Sequence, residues 1–480
     1  MIVGRRSCAV AHAGAWLLAL ATTGVLAAGG CHRDIRLFPG TGGTGGGTAG
    51  TTGGTGIEEL GSGGRAGVLG GAGRGAGGGR GGTGGGSAGT GGIGGVAGGS
   101  AGISGAGGDD HVDGGGGSDG STASCPPVRM PTSSGPTCAS TLETRGHRFA
   151  LCMCSNLIAA ARIRTEGYDS TTNAWDEVSA AIGTNGALQS TAEVRAGGAL
   201  YVSSTTPGPG GILAEGHVQA GTSLYVGGPL DQISSNTDVG VNAYVAGDVS
   251  GDVRIRGELY ASPTSSVGSA VQATAIEREL VSIAAPCDCS LNFVNPPAAV
   301  AMANNQNADA LHGFSPNALM PVIAPTTFDL DCGTFFLSAI DASAPLTIAV
   351  HGNALLAVGG DVSIRNGLSV MLDPGASLDL VIGGHLNVSG GGTFGTGPQS
   401  APTRFRVWVA AVGTVVLDDM PTIGAMIHAG GSQISSRSGF TLYGSLVAQS
   451  ISPGGEVDII YDRAALSAGA ECGEPTASLP

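Results

Sequence analysis

The residues able to do chemistry in this chain are sparse, and their spacing argues against most of the chemistry they could do. Asp418-Asp419 is a carboxylate pair of the kind used in acid–base catalysis or calcium binding. Neighbours on a strand point to opposite faces, however, and Met420-Pro421 follows, so the pair reads as a turn. His351, His385 and His428 each stand close to glycine at expected strand ends, and their spacings of 34 and 43 residues do not match the repeat length described below. A stacked metal ladder is therefore not expected. Gly359-Gly360 and Gly383-Gly384 resemble phosphate cradles, but no Gly-x-Gly-x-x-Gly opens a helix beside them and no Walker lysine accompanies them. Asp248, Asp252 and Asp361 read as solvated turn carboxylates, and no Ser/His/Asp set presents itself. The expectation is a chain without catalytic residues, cofactor or metal.

The cysteines say more. Arg5 and Arg6 precede an apolar run, "AWLLALATTGVLAAGG", which together read as an export signal over residues 1–30. The signal ends in "LAAGGC", so Cys31 is the expected lipidation site, and an acyl chain there would tether the protein to a membrane surface. A plain secretory peptide and an uncleaved anchor helix are the alternatives. Past the signal stand Cys125, Cys138, Cys152, Cys154, Cys287, Cys289, Cys332 and Cys472, an even set that reads as disulfides in an exported protein. The "CMC" and "CDC" pairs are too tightly spaced for the usual zinc sites. The expected bridge joins Cys287 or Cys289 to Cys332.

These residues need elements to hold them, and the composition restricts what those can be. Of 480 residues 90 are glycine, aromatics make up 4% and charged residues 12%. Glycine dominates from Gly40 to Gly120, where few apolar side chains offset the entropy of ordering, so residues 31–124 are expected to be a disordered tether. A coil of ~80 residues spans on the order of 50 Å. The net charge of −15 disfavours nucleic acid and direct contact with an anionic membrane.

From Cys154 onward, short runs alternate apolar and polar residues between Gly, Asn, Asp and Ser bends, the texture of half-buried strands. They recur in register. "LYV" at 200–202 returns at 224–226, and "VGGDVSI" at 358–364 aligns with "IGGHLNV" at 382–388, both 24 residues on. "MIHA" at 426–429 and "LVAQ" at 446–449 are 20 apart. The fold class expected is all-β, a parallel β-solenoid in which each coil buries its apolar side chains against the next. A β-sandwich is the alternative. Two repeat blocks, 125–290 and 326–466, flank a helical or looped insert at 291–325, and 467–480 is a tail. In "SLDLVIGGHLNVSGGGTFGTG", Leu378, Leu380, Ile382, Leu386 and Val388 are the expected inward residues.

The run "CGTFFLSAI", with "LDPGASLDLVIGGHLNVSGGGTFG", "RFRVWVA", "GTVVL" and "GSLVAQSISPGGEVDIIYDRAAL", resembles the β-solenoid domain at the C-terminus of PilX-like pilus-assembly proteins. It is also similar to glycine-rich exported lipoproteins of some Gram-negative bacteria, and more loosely to polymer-forming bactofilins. The resemblance covers 326–466 closely and implies a surface or envelope scaffold. The expectation is a non-enzymatic protein, lipid-anchored to the outer membrane or cell surface, that contacts surface polysaccharide, a pilus or another envelope protein. A carbohydrate-active β-helix enzyme and a self-assembling homo-oligomer are the alternatives.

Overall fold

The computed structural model describes residues 125–466, apart from short breaks at 126, 133–134, 177, 204–209, 290–293, 398–400, 411–413 and 420. The expected signal, Cys31, the tether and Cys472 lie outside the described residues.

Within them the chain winds as a parallel β-solenoid with three strands to a coil. Leu200–Val202 pairs in parallel with Leu224–Val226, which pairs with Ala243–Val245, which pairs with the strand Glu258–Ala261. At each rung the first and third residues point inward and are fully buried, as Leu224 and Val226 are, so one coil's apolar pair packs on the next. All the strand pairings of the solenoid are parallel except a short hairpin joining Ile163–Asp169 to Ala174–Trp175, which excludes a sandwich. The bends need glycine because successive coils approach so closely. A Cβ on Gly221 would lie 2.0 Å from the carbonyl oxygen of Gly197, and one on Gly240 would lie 2.0 Å from that of Gly221.

The 24-residue repeats pair as expected, Leu200 with Leu224 and Val362 with Leu386. The repeat is not constant, though, shrinking to 19 between Leu224 and Ala243 and to 16 between Ala243 and Leu259. The "MIHA"/"LVAQ" alignment needs correction by one residue, since Ile427 pairs with Leu446 and His428 with Val447. A slip of one would turn every inward side chain out, so burial of Ile427, Ala429, Leu446 and Ala448 decides the register.

The chain does not traverse the solenoid from end to end. It enters at the middle with Leu151–Met153 and winds outward to Ala275–Arg278. Residues 281–289 then run back across the outer face of the first sheet, the one that carries Leu151–Met153, Leu200–Val202 and Leu224–Val226. Helix α1 having been formed earlier at Ala139–Gly146, helix α2 (Pro296–Asn305) and the short α3 (Asp309–His312) follow. From Thr326–Leu330 at the opposite end the chain winds inward again, coil by coil, to Val457–Asp462. The two blocks meet there. Leu151–Met153 pairs with residues 446–448, and Ile163–Asp169 pairs with Val457–Asp462, all in parallel. The superhelical path therefore continues as though Asp462 were joined to Leu151. On the first sheet thirteen strands follow one another, about 58 Å at roughly 4.8 Å per strand.

Two layers cover the outside of the first sheet. Over the C-terminal block, α1, α2 and Met130 bury Leu355, Ala357, Val381 and Trp408 in a second apolar cluster. Asn295 caps α2 by accepting a hydrogen bond from the amide of Ala298 at 3.1 Å. Strands such as Ser377–Ile382 are consequently buried on both faces, which a half-buried reading of their alternation does not foresee. Over the N-terminal block the cover is thinner. Tyr201, Tyr225, Tyr244 and Tyr260 stack with ring centroids 4.5, 4.9 and 4.7 Å apart and planes within 5° of parallel. Val281, Ile283 and Cys287 of the returning segment lie on this ladder.

Candidate functional site

The disulfides place the cysteines first. Cys152 bonds to Cys287 and Cys154 to Cys289, with Cα separations of 5.7 and 5.6 Å, and Cys125 bonds to Cys332. Cys138 is disulfide-bonded as well. This corrects the expected bridge from Cys287 or Cys289 to Cys332. Cys332 follows the strand Thr326–Leu330 at one end of the solenoid, whereas residues 287–289 pass over its middle, beside Leu151–Met153. A disulfide needs Cα atoms within about 7 Å, so only the middle partners qualify. The two Cys-x-Cys pairs match because residues two apart on an extended chain face the same way. Asn185 pins the same segment, donating from Nδ2 to the Cys287 carbonyl and accepting from its amide, each at 2.9 Å. Such disulfides belong to an oxidising, extracytoplasmic environment. Among the described residues no helix is long and apolar enough to cross a membrane.

The residues first weighed for chemistry are dispersed. Asp418 and Asp419 form a turn, Asp418 accepting from the Arg437 amide and Asp419 from that of Gly390, both at 2.9 Å. Asp361 accepts from the amide of His385 at 2.8 Å, and Asp248 from that of Ser266 at 2.6 Å. Each of these two bonds ties a bend to the coil before it. His351 is exposed between Asp329 and Asp373, whose hydrogen bond raises its pKa. His428 is not at a strand end but inside Thr422–Ser436, buried against Trp408 and His147 with ring centroids 5.5 and 6.2 Å away. The three histidines thus do not converge, and among the described residues no set of three or more ligands is placed to hold a metal.

A buried polar cluster lies between the first sheet and its cover. Arg406 donates from Nε and Nη2 to the two oxygens of Asp379, each at 2.8 Å, and Trp408 Nε1 donates to the same carboxylate at 2.9 Å. Nearby, Ser445 Oγ donates to the Phe149 carbonyl at 2.7 Å, so His147 Nδ1 must be the donor in its 3.0 Å contact with Ser445 Oγ. Burial depresses the pKa of both histidines: that of His147 well below the ordinary range, aided by nearby His428 and Arg406, and that of His428 to about 4. Every one of these groups is shut away from solvent, which makes the cluster a clamp for the N-terminal segment rather than a place for a ligand.

The open site lies on the third sheet, the one built from Val194–Ala196, Val218–Ala220, the ends of Leu230–Val239 and Val249–Ile255, and Val271–Gln272, where a groove of 620 Å³ follows the axis. Its floor is a ladder set by register: Arg195 pairs with Gln219, Gln219 with Asp238, Asp238 with Arg254 and Arg254 with Gln272. Gly197, Gly221 and Gly240 form its wall, and Arg256 stands at the corner beyond Arg254. Arg254 pairs with Asp252 at 2.7 Å. Asp238, the one carboxylate among the described lining residues, is held by His217 Nε2 at 2.9 Å and Asn236 Nδ2 at 2.6 Å. The guanidinium groups of Arg195 and Arg256 have no hydrogen-bond or ion-pair partner among the described residues. None of these ladder residues is among the expected site residues. The signal was in the sequence: "EVRAGGALYV", "HVQAGTSLYV", "TDVGVNAYV" and "DVRIRGELYA" align on their tyrosines.

A family described as a domain of unknown function, DUF7305, matches residues 296–467. The match takes in the C-terminal block and the helices before it, and stops short of the groove. No curated protein and no solved structure matches the chain.

Proposed function

We propose that this protein is a non-enzymatic scaffold of the cell envelope, anchored through Cys31 and presenting the solenoid for contact with surface polysaccharide, a pilus or another envelope protein. The observation that carries the reading is the groove. It offers a repeated row of outward guanidinium and amide groups on a disulfide-clamped frame, with a single, already engaged carboxylate. Glycoside hydrolysis ordinarily needs two carboxylates facing each other across the bond, roughly 5–9.5 Å apart. A row of donors held by stacked backbone suits recognition of an extended polymer instead. The resemblance to PilX-like and lipoprotein β-solenoids supports the envelope setting. The test has two parts. Metabolic labelling with a fatty-acid analogue should mark the wild-type chain and not Cys31→Ser. The purified chain should release no products from a panel of polysaccharides, and turnover abolished by substituting an acidic residue would overturn the reading.

Self-assembly is a second reading, and one observation favours it. The last strand of the N-terminal block, Ala275–Arg278, has no neighbour on its outer edge among the described residues, and Ile276 within it and Leu280 just after it are about half exposed. An open edge is a template for another strand. Size-exclusion chromatography of the full chain across a concentration series separates monomer from polymer.

A further inference from the structure

We infer that the groove binds one extended chain of an acidic polysaccharide, with Arg195, Arg254 and Arg256 engaging its carboxylates. The inference rests on the scaffold reading and adds the chemistry of the ligand. Charge comes first. The protein carries −15 overall, yet the groove gathers three guanidiniums, of which only that of Arg254 holds a carboxylate, Asp252, and the groove's own carboxylate is committed to His217 and Asn236. Arg195 is half-buried with no counter-ion among the described residues, so an arriving carboxylate meets a donor that has already lost part of its water.

Spacing comes second. Strand stacking sets the ladder residues about 4.8 Å apart, so Arg195 and Arg254, three rungs apart, stand about 14 Å from each other. An extended peptide presents same-side residues about every 6.8 Å, which is in step with Arg254 at the third rung but misses Gln219 and the rung after it. An extended glycan advances close to one sugar per rung and stays in step, carboxylates meeting arginines and hydroxyls meeting Gln219 and Gln272. No aromatic side chain lines the groove among the described residues, which removes the stacking platform a single-stranded nucleic acid would use.

The test titrates the full chain with oligogalacturonates of graded length at about 0.15 M ionic strength, where a Debye length of about 8 Å screens the remote acidic charge but not direct contacts. Affinity should rise with length until the oligomer spans Arg195 to Arg254, about four sugars, and then level off. Arg195→Gln combined with Arg256→Gln should weaken binding at least tenfold. Arg437→Gln, at an almost fully exposed residue outside the groove, should leave it unchanged. Arg256 is exposed and Arg195 half-buried on the outer face, and unchanged circular dichroism would show that the fold is retained. Absence of binding, or wild-type affinity in the double variant, overturns the inference. Equal affinity for poly-glutamate overturns the glycan in favour of an acidic protein. Cleavage of the oligomers would overturn the non-enzymatic reading and leave this one standing.

Discussion

Removing the carboxylate of Asp379 should be among the most damaging single changes in the solenoid. Asp379 and Arg406 are almost wholly buried on the outer side of the first sheet, joined by two hydrogen bonds of 2.8 Å, and Trp408 Nε1 donates to the same carboxylate. In Asp379→Ala the guanidinium keeps its charge in a site that excludes water. Breaking one side of a buried pair costs about 3–5 kcal/mol, chiefly for the charge left behind. For a solenoid of this size, about 2 °C per kcal/mol gives a fall in Tm of roughly 6–10 °C. Repeat structures unfold locally, so hydrogen exchange should show the loss concentrated in Ser377–Ile382, Phe405–Val409 and the helices above them. The control is Asp379→Leu with Arg406→Met, which removes both charges and should recover most of the loss. A single variant within about 1 kcal/mol of wild type would refute the reasoning, as would a double variant no better than the single.

Acid should loosen the same region. In the unfolded chain His147 and His428 take protons near pH 6.5, whereas in the fold His428 holds off until about 4 and His147 lies well below its ordinary range. Between those limits the unfolded state binds more protons, so stability falls as pH drops from 6.5 toward 4, by about 3 kcal/mol for His428 alone. Urea midpoints at neutral and acid pH measure this, and His428→Gln should flatten the slope; a midpoint constant down to pH 5 would contradict it. Reduction of the disulfides should free the segment 281–289 from the tyrosine ladder, because Cys152–Cys287 and Cys154–Cys289 hold it there. Tyr225, now buried, should then become accessible to nitration, read by mass spectrometry, and protection equal to the oxidised protein would count against the bridges as clamps.

Much of the fold was legible because its signals are local. Leu378, Leu380, Ile382, Leu386 and Val388 are all buried, as alternation and the bend at Gly383-Gly384 imply. The 24-residue offsets pair as read, and the run after the prolines at 296–297 forms a helix. Asp379 and Arg406 were illegible for a specific reason. They occupy positions that alternation assigns to solvent, and only α1, α2 and Met130, contributed by distant sequence, cover them. The cysteine pairing failed for a related reason, since it depends on where the returning segment crosses the sheet and not on any spacing within it.

What the sequence alone determined is the coil: which residues turn inward, where the chain bends, and that one coil stacks on the next. The order of stacking was decided only in three dimensions. Every coil ends in a similar edge of unpaired backbone with Leu, Val or Ile facing inward, so any coil can dock on many others with similar gain. The returning segment, tied down by two disulfides and Asn185, carries the chain to the far end and lets Val457–Asp462 close on Ile163–Asp169. The same closure makes the three sheets continuous, and the stacking of coils within it places arginines 59 residues apart in sequence three rungs apart on one groove.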